Sequence, residues 1–280
     1  MSSGEGIPTT VLNSGTAMPR LGHGTWPMSD DDVQTVAAQA MDVGYRMFDT
    51  AEVYGNEVGL GRALRHTDVP REDLFVISKL RGRHHAYDLA IRAFHATLSR
   101  LGLQYLDLYL IHWPVPDQGL YVDAWRALVK LRDDGLVRAI GVSNFAPSHI
   151  SRLAAETGIV PAVNQVQLHP GIARPDWRAD NQSRGIAIQC WSPLGRARKL
   201  IEHQQVQTIA DRVGCTPAQV ILRWHIDLGL SPIVRSANVG RLRQNSEIFD
   251  IALEAEDLAA LSALDRTESA GADPQRLQPL

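Results

Sequence analysis

Eight short apolar runs recur along the chain, each separated from the next by a longer stretch of helical periodicity. They cover residues 21–26, 46–51, 74–80, 106–112, 137–144, 162–169, 187–194 and 231–236. An apolar run of this length bounded by polar residues reads as a buried strand, and strands that alternate with amphipathic helices build a parallel sheet covered by helices. Eight such units in about 250 residues is the arithmetic of a (β/α)8 TIM barrel, an α/β fold in which the sheet closes on itself. A doubly wound open sheet is the main rival. It is disfavoured because eight units exceed its usual complement of about six strands, and because no G-x-G-x-x-G opens the first helix. The nearest string, Gly59-Leu60-Gly61-Arg62-Ala63-Leu64, lacks the third glycine, follows a polar loop and reads as helix.

Local signals refine this frame. Asp30, Ser148 and Thr216 stand where helix N-caps are expected, and most helical stretches close on a glycine suited to a left-handed C-cap. Residues 9–19 alternate about Asn13-Ser14-Gly15, which predicts a β-hairpin ahead of the barrel, placed to plug its bottom. Residues 254–265 predict an extra C-terminal helix beyond the eight units. No linker rich in Pro, Gly or Ser divides the chain, so one domain spanning 1–280 is expected, with loose ends at 1–8 and 271–280.

Charge and composition narrow the function. Lys plus Arg number 28 and Asp plus Glu 31, a net charge of -3 with no like-charged block, which argues against a nucleic-acid partner. No run approaches the roughly 18 apolar residues of a membrane span, and the N-terminus lacks the regions of a secretory signal, so no membrane partner and a cytoplasmic location are expected. Cys190 and Cys215 are too few for a disulfide framework or a Cys-rich metal site, and Cys190 reads as core. Of the 28 basic residues only Lys79, Lys130 and Lys199 are lysine, leaving 28 minus 3, or 25, arginines. Lys130 and Lys199 lie in polar surroundings, whereas Lys79 interrupts an apolar strand.

In a barrel of this kind the functional groups gather where the strands end at their C-terminal face. The polar or aromatic residues that interrupt the eight runs near their ends are Thr25, Asp49, Lys79, His112, Ser143 with Asn144, Gln165, Trp191 with Ser192, and Arg235 with Ser236. Asp49 and Lys79 come from adjacent strands and are expected to pair, because burying either alone would cost several kcal/mol. Tyr54 lies in the loop just beyond Asp49. A phenol is a weak acid at neutral pH unless a cation favours its anion, and Lys79 is placed to be that cation. His112 is placed to hydrogen-bond a substrate oxygen beside the Tyr54 hydroxyl.

At these residues the sequence resembles the aldo-keto reductase family along nearly its whole length. The matching strings are MPRLGHGTW, VGYRMFDTAEVYGNE, ISKL, LDLYLIHWP, IGVSNF, PAVNQVQLHP, CWSPLG and TPAQVILRWH, in order and at barrel spacing. It looks most like the bacterial branch that includes 2,5-diketo-D-gluconate reductases, because Trp191 stands where many animal members carry Tyr. The resemblance implies a catalytic tetrad at Asp49, Tyr54, Lys79 and His112, with hydride transfer from NADPH to a carbonyl carbon and Tyr54 giving the proton. It implies that Ser143, Asn144 and Gln165 hold the nicotinamide carboxamide while Trp191 stacks on the ring. Further NADPH contacts are implied at Gly24, Thr25, Asp49, Ser192, Leu194, Gly195, Arg235, Ser236, Arg241 and Asn245. Trp26, Tyr54, His112 and Trp113 are implied to line a pocket for a small carbonyl substrate, and the branch is commonly monomeric.

This sequence departs from the family at Val234-Arg235-Ser236, where Pro-Lys-Ser is usual, and at Gln244, where Glu is usual. Arg235 keeps the positive charge and offers a planar fork that suits phosphate. Other chemistries fit less well. A Ser-His-Asp hydrolase built on Ser143 fails because Phe145 stands where the nucleophile elbow needs glycine. His84 and His85 sit in a loop and His112 stands alone, so no metal site is expected. The remaining alternative is an NADPH-binding sensor with little turnover, which would have no use for Tyr54 and Lys79 together.

Overall fold

A computed structural model describes residues 6–195 and 199–266. A two-stranded antiparallel hairpin, β1 (Thr9–Val11) and β2 (Ala17–Pro19), precedes a closed parallel barrel. The barrel strands are β3 (Gly22–Gly24), β4 (Met47–Asp49), β5 (Phe75–Leu80), β6 (Leu106–Ile111), β7 (Val137–Ser143), β8 (Val163–Gln167), β9 (Ala187–Trp191) and β10 (Ser231–Val234), and β10 closes on β3. The helices are α1 (Asp30–Val43), α2 (Glu57–Arg65), α3 (Tyr87–Leu101), α4 (Tyr121–Asp133), α5 (Pro147–Thr157), α6 (Pro175–Ser183), α7 (Gln204–Val213), α8 (Pro217–Asp227), α9 (Val239–Ser246) and α10 (Ala255–Ser262). All eight expected strands, the hairpin and the extra C-terminal helix are present. Two helices, α7 and α8, follow β9 where one was expected. The expected loose ends lie mostly outside the described residues.

Period two along each strand sorts side chains into two cores. Met47, Phe75, Ile77, Leu108, Leu110, Ala139, Val163 and Ile233 fill the barrel interior together with Leu12 and Met18 of the hairpin, so the hairpin plugs the bottom as expected. Phe48, Val76, Leu80, Tyr109, Ile111, Ile140 and Val142 face the opposite way and pack with apolar stripes of the surrounding helices. The same alternation puts Asp49, Lys79, Ser143, Gln165, Gln189 and Trp191 in phase with interior residues of their own strands.

Seven of the eight strands stop one to three residues short of the expected run, β5 alone reaching its expected end at Leu80, but the ladder continues at the rim. Thr25 N donates to Asp49 O at 3.0 Å, Thr50 N to Ile77 O at 3.0 Å, His112 N to Leu80 O at 3.0 Å and Asn144 N to Gln165 O at 2.9 Å. These bonds hold the first residue after β3, β4, β6 and β7 in register with the neighbouring strand.

Two of the three expected N-caps are corrected. Ser29 caps α1, its Oγ accepting from Asp32 N, while Asp30 is the first helical residue and its carboxylate accepts from Gly59 N at 2.5 Å. Helix α5 starts at Pro147 behind Ala146, because proline already supplies the φ of a first helical turn, and Ser148 lies exposed within that turn. Thr216 caps α8 as expected, in a reciprocal pair with Gln219.

The Gly59-Leu60-Gly61 string lies inside α2, as read. Its glycines serve close packing: a Cβ at Gly59 would come within 2.0 Å of Asp30 O, and one at Gly61 within 2.3 Å of Leu101 O. Helix α2 therefore lies directly against the start of α1 and the end of α3. Cys190 is buried and Cys215 half-buried, both free, and Lys130 and Lys199 are exposed.

Candidate active site

At the C-terminal rim of the barrel the six strands β4 to β9 bring together groups far apart in sequence, with hydrogen-bonded partners up to 116 residues apart. Lys79 is fully buried, and its Nζ donates to Asp49 Oδ2 at 2.6 Å, to Thr50 O at 2.9 Å and to the Tyr54 hydroxyl at 3.4 Å. These are three partners for the three N–H bonds of an ammonium, a compact arrangement that a planar guanidinium would not reproduce. The ammonium also stands 5.1 Å from the centre of the Tyr54 ring. The His112 ring meets the Tyr54 ring edge-on, with centroids 5.7 Å apart.

The electrostatics follow from this packing. Burial works against the Lys79 charge, but Asp49 and Tyr54 outweigh it and hold the ammonium above its ordinary range. Burial, followed by the neighbouring Lys79 charge, pushes His112 well below the ordinary range, so the imidazole is neutral at pH 7. Lys79 lowers the Tyr54 hydroxyl, as expected, but the net shift is upward. Burial is the largest influence on Tyr54 and raises it; Lys79 pulls it down and Asp49 pushes it up again, leaving it above the ordinary phenol value. Tyr54 therefore carries its proton at rest.

The loop that carries Tyr54 is braced from two sides. Glu52 Oε1 lies 3.0 Å from His84 Nδ1 in the loop after β5. Asn56, fully buried, donates through Nδ2 to Thr25 O and Met28 O and accepts through Oδ1 from Thr50 Oγ1 at 2.8 Å. Next to it, Glu57 accepts from Ser78 Oγ at 2.6 Å and from Arg100 Nε at 2.6 Å. Asn56 and Glu57 were not singled out from the sequence, although both stand in the string GNE directly after Tyr54.

On the far side of the rim, Gln165 Nε2 donates to Asp49 Oδ1 at 2.8 Å, so the same carboxylate joins the Lys79 cluster to β8. Ser143 Oγ donates to Gln165 O. Asn144, at φ 62°, sits in the left-handed region, which asparagine tolerates better than most residues. Its Nδ2 donates to His112 O and Ser143 Oγ, and its Oδ1 accepts from Trp191 Nε1 at 2.8 Å. That last bond fixes the plane of the Trp191 indole at the mouth. Ser143, Asn144, Gln165 and Trp191 thus form one connected set.

The remaining expected contacts arrange themselves around this set. Gly24 pairs with Asp49 across β3 and β4, and buried Thr25 donates to Asn56 Oδ1. Ser192, at φ 52°, Leu194 and Gly195 are half-exposed where β9 leaves the barrel. Arg196, Ala197 and Arg198, the end of the loop expected to help hold phosphate, lie outside the described residues. Ser236 is nearly buried, with its backbone oxygen 3.2 Å from His23 Nε2. Arg235 and Arg241 are exposed around the start of α9, capped by Asn238, and Asn245 is buried in that helix. Exposed cations beside a helix N-terminus suit a phosphate group. Trp26, 56% exposed, and half-buried Trp113 flank the mouth strands that carry Thr25 and His112. A cavity of about 580 Å³ lies instead on the outer flank between α1 and α2, lined by Asp42, Arg46 and His66 among others, and shares no residue with the rim cluster.

Among the described residues no group of three or more His, Cys, Asp or Glu is placed to hold a metal ion, and no helix is long and apolar enough to cross a membrane.

The sequence profile of the aldo/keto reductase family matches residues 12–266. The chain belongs to the aldo/keto reductase family. This reductase is 44% identical over 268 residues to 2,5-diketo-D-gluconic acid reductase B of Corynebacterium sp., covering 96% of this chain and 97% of that one. It is 41% identical over 271 residues to methylglyoxal reductase DkgA of Escherichia coli O157:H7, covering 96% and 98%. Its fold superposes on a mutant of Gox0644 solved in complex with NADPH with a TM-score of 0.93 at 38% identity, covering 98% of this chain and 99% of that one.

Proposed function

We propose that this family member is an NADPH-dependent reductase of small aldehydes, ketones or α-dicarbonyls in which Tyr54 donates the proton and Lys79, Asp49 and His112 support it. The observation that carries the reading is the Tyr54 hydroxyl, held 3.4 Å from a buried ammonium and against a neutral imidazole. The relatives named for 2,5-diketogluconate and methylglyoxal reduction support the substrate class, and the Gox0644 complex supports the cofactor.

The residues present fit NADPH. Trp191, with its indole fixed by Asn144, offers an aromatic face, the linked polar set of Ser143, Asn144 and Gln165 offers hydrogen bonds to an amide, and Ser236, Arg235 and Arg241 at the start of α9 offer charge and donors to phosphate. Gly24, Thr25, Ser192, Leu194, Gly195 and Asn245 complete this side, and Trp26 and Trp113 line the substrate side. NADPH supplies the hydride when bound.

The protein's own contribution is control of one proton. Tyr54 keeps its proton while the site is at rest, because burial outweighs the pull of Lys79. As negative charge develops on a carbonyl oxygen beside it, the proton moves from the Tyr54 hydroxyl, and the nearby ammonium stabilises the phenolate left behind. Asp49 and Thr50 O keep that ammonium in place. His112, being neutral, has one N–H with which to orient the carbonyl oxygen without competing as an acid. We further read the protein as a single-domain, monomeric, cytoplasmic enzyme.

The test is to mix purified protein and NADPH with a panel of aldehydes, ketones and α-dicarbonyls and to follow cofactor oxidation. Turnover of at least one carbonyl class is expected. Tight NADPH binding with no turnover on any of them would instead identify a sensor.

A further inference from the structure

We propose that Gln189, deep in the barrel, is a positioning residue that engages the second N–H of the Gln165 amide, whose orientation Asp49 sets, and so makes Gln165 an acceptor-only contact for the nicotinamide carboxamide. This rests on the NADPH reading above.

The argument starts at the carboxylate. Asp49 is ion-paired with Lys79 and can only accept, so the Gln165 atom 2.8 Å from Asp49 Oδ1 has to be Nε2. Residues 165 and 189 are direct register partners on β8 and β9, in phase with the interior. Gln165 Nε2 lies 3.0 Å from the Gln189 side chain, so the Gln189 atom facing it has to be the acceptor Oε1. Both N–H bonds of Gln165 Nε2 are then engaged. Its one remaining polar atom, Oε1, has no side-chain donor among the described residues and is what Gln165 has to offer a ligand. A carboxamide brought to it must present its N–H.

The other end of Gln189 shows that position 189 bears a cost for this. Among the described residues its Nε2 faces only two thioether sulfurs, Met18 Sδ at 3.2 Å and Met47 Sδ at 3.4 Å, which are weak acceptors. The residue is fully buried in the apolar barrel core. A side chain chosen for packing alone would be apolar here, since a buried amide donor with poor partners is unfavourable. The polar line therefore runs from the hairpin plug, through Gln189 and Gln165, to the carboxylate that holds Lys79.

What Gln165 needs from position 189 is an acceptor, which gives the test. Binding of NADPH and of its 3-acetylpyridine analogue, whose acetyl group lacks the amide N–H, is measured by quenching of protein fluorescence. Wild type should prefer NADPH by about tenfold, the scale of one unsatisfied buried acceptor. Gln189→Met keeps the length and removes the acceptor, and should lower that preference by about fivefold. Gln189→Glu keeps an acceptor and should retain the wild-type preference. Met18→Leu, which removes a sulfur but not the Oε1 contact, should also retain it. An unchanged preference in Gln189→Met, or a Gln189→Glu that behaves like Gln189→Met, overturns the proposal. Should Gln189→Met not fold, the Gln189→Glu and Met18→Leu comparison still decides, because loss of preference in either contradicts it. Failure of wild type to bind NADPH at all would count against the functional reading instead.

Discussion

Acid should unfold this barrel through its buried histidines. His23, His85 and His169 are each pushed down to about 4, in every case chiefly by burial. Among the described residues each has at least one buried ring nitrogen without a partner, so none is built to carry a proton. His225 is also at about 4, but both its nitrogens face carbonyl oxygens, Ile221 O at 2.8 Å and Leu168 O at 3.0 Å, which suit the two N–H bonds of an imidazolium. We therefore leave His225 out of the sum. In the unfolded chain a histidine titrates near 6.5, so the unfolded state binds protons first as pH falls, and stability that is complete above about pH 6.5 is lost down to about pH 4. At pH 5 each of the three histidines costs about 2 kcal/mol relative to pH 7.5, or about 6 kcal/mol together. That is comparable with the whole margin of a typical fold, about 5–15 kcal/mol. Asp107, raised by burial, works in the opposite direction and offsets part of the loss. The assay is equilibrium urea unfolding at both pH values. In the variant His23→Leu the loss between pH 7.5 and 5 should shrink by about 2 kcal/mol. Equal unfolding free energies at the two pH values, or an undiminished acid loss in that variant, would refute the reasoning.

Three further outcomes are expected. Tyr54→Phe should lower kcat by about 10²–10⁴-fold with NADPH affinity little changed, as steady-state kinetics and a binding titration would show; undiminished turnover would remove Tyr54 as the acid. Gly61→Ala should destabilise the protein by about 1–3 kcal/mol, read as a lower urea midpoint, because its Cβ would meet Leu101 O at 2.3 Å. Arg241→Ala should raise KM for NADPH about tenfold and leave that for NADH unchanged; an equal effect on both would show that Arg241 does not face the 2′-phosphate.

The architecture and the rim cluster were legible because both depend on period and count. Eight apolar runs at βα spacing leave few closed alternatives, and period two fixes that Asp49 lies in phase with Met47 and Lys79 with Ile77. The pairing of Asp49 with Lys79 follows from the cost of burying either alone. Gln189 was visible too, as the one polar side chain inside AIQCW and in phase with Trp191, but it lies below the strand end where functional groups were sought. Asn56 and Glu57 were hidden by their neighbour Tyr54, since nothing local says that a polar pair opening a helix is buried.

By itself, then, the sequence determined the order of elements, the face of each strand and the choice of Lys among many arginines at position 79. Only the tertiary structure decided which groups meet and how strongly. Burial of Tyr54, which outweighs the pull of Lys79 3.4 Å away, decides that the phenol keeps its proton at rest, and the approach of Gln165 to the Asp49 carboxylate decides which way its amide sits. Periodicity is a property of neighbouring residues along the chain, whereas the depth at which strands align, and the burial that goes with it, is set only when the barrel closes.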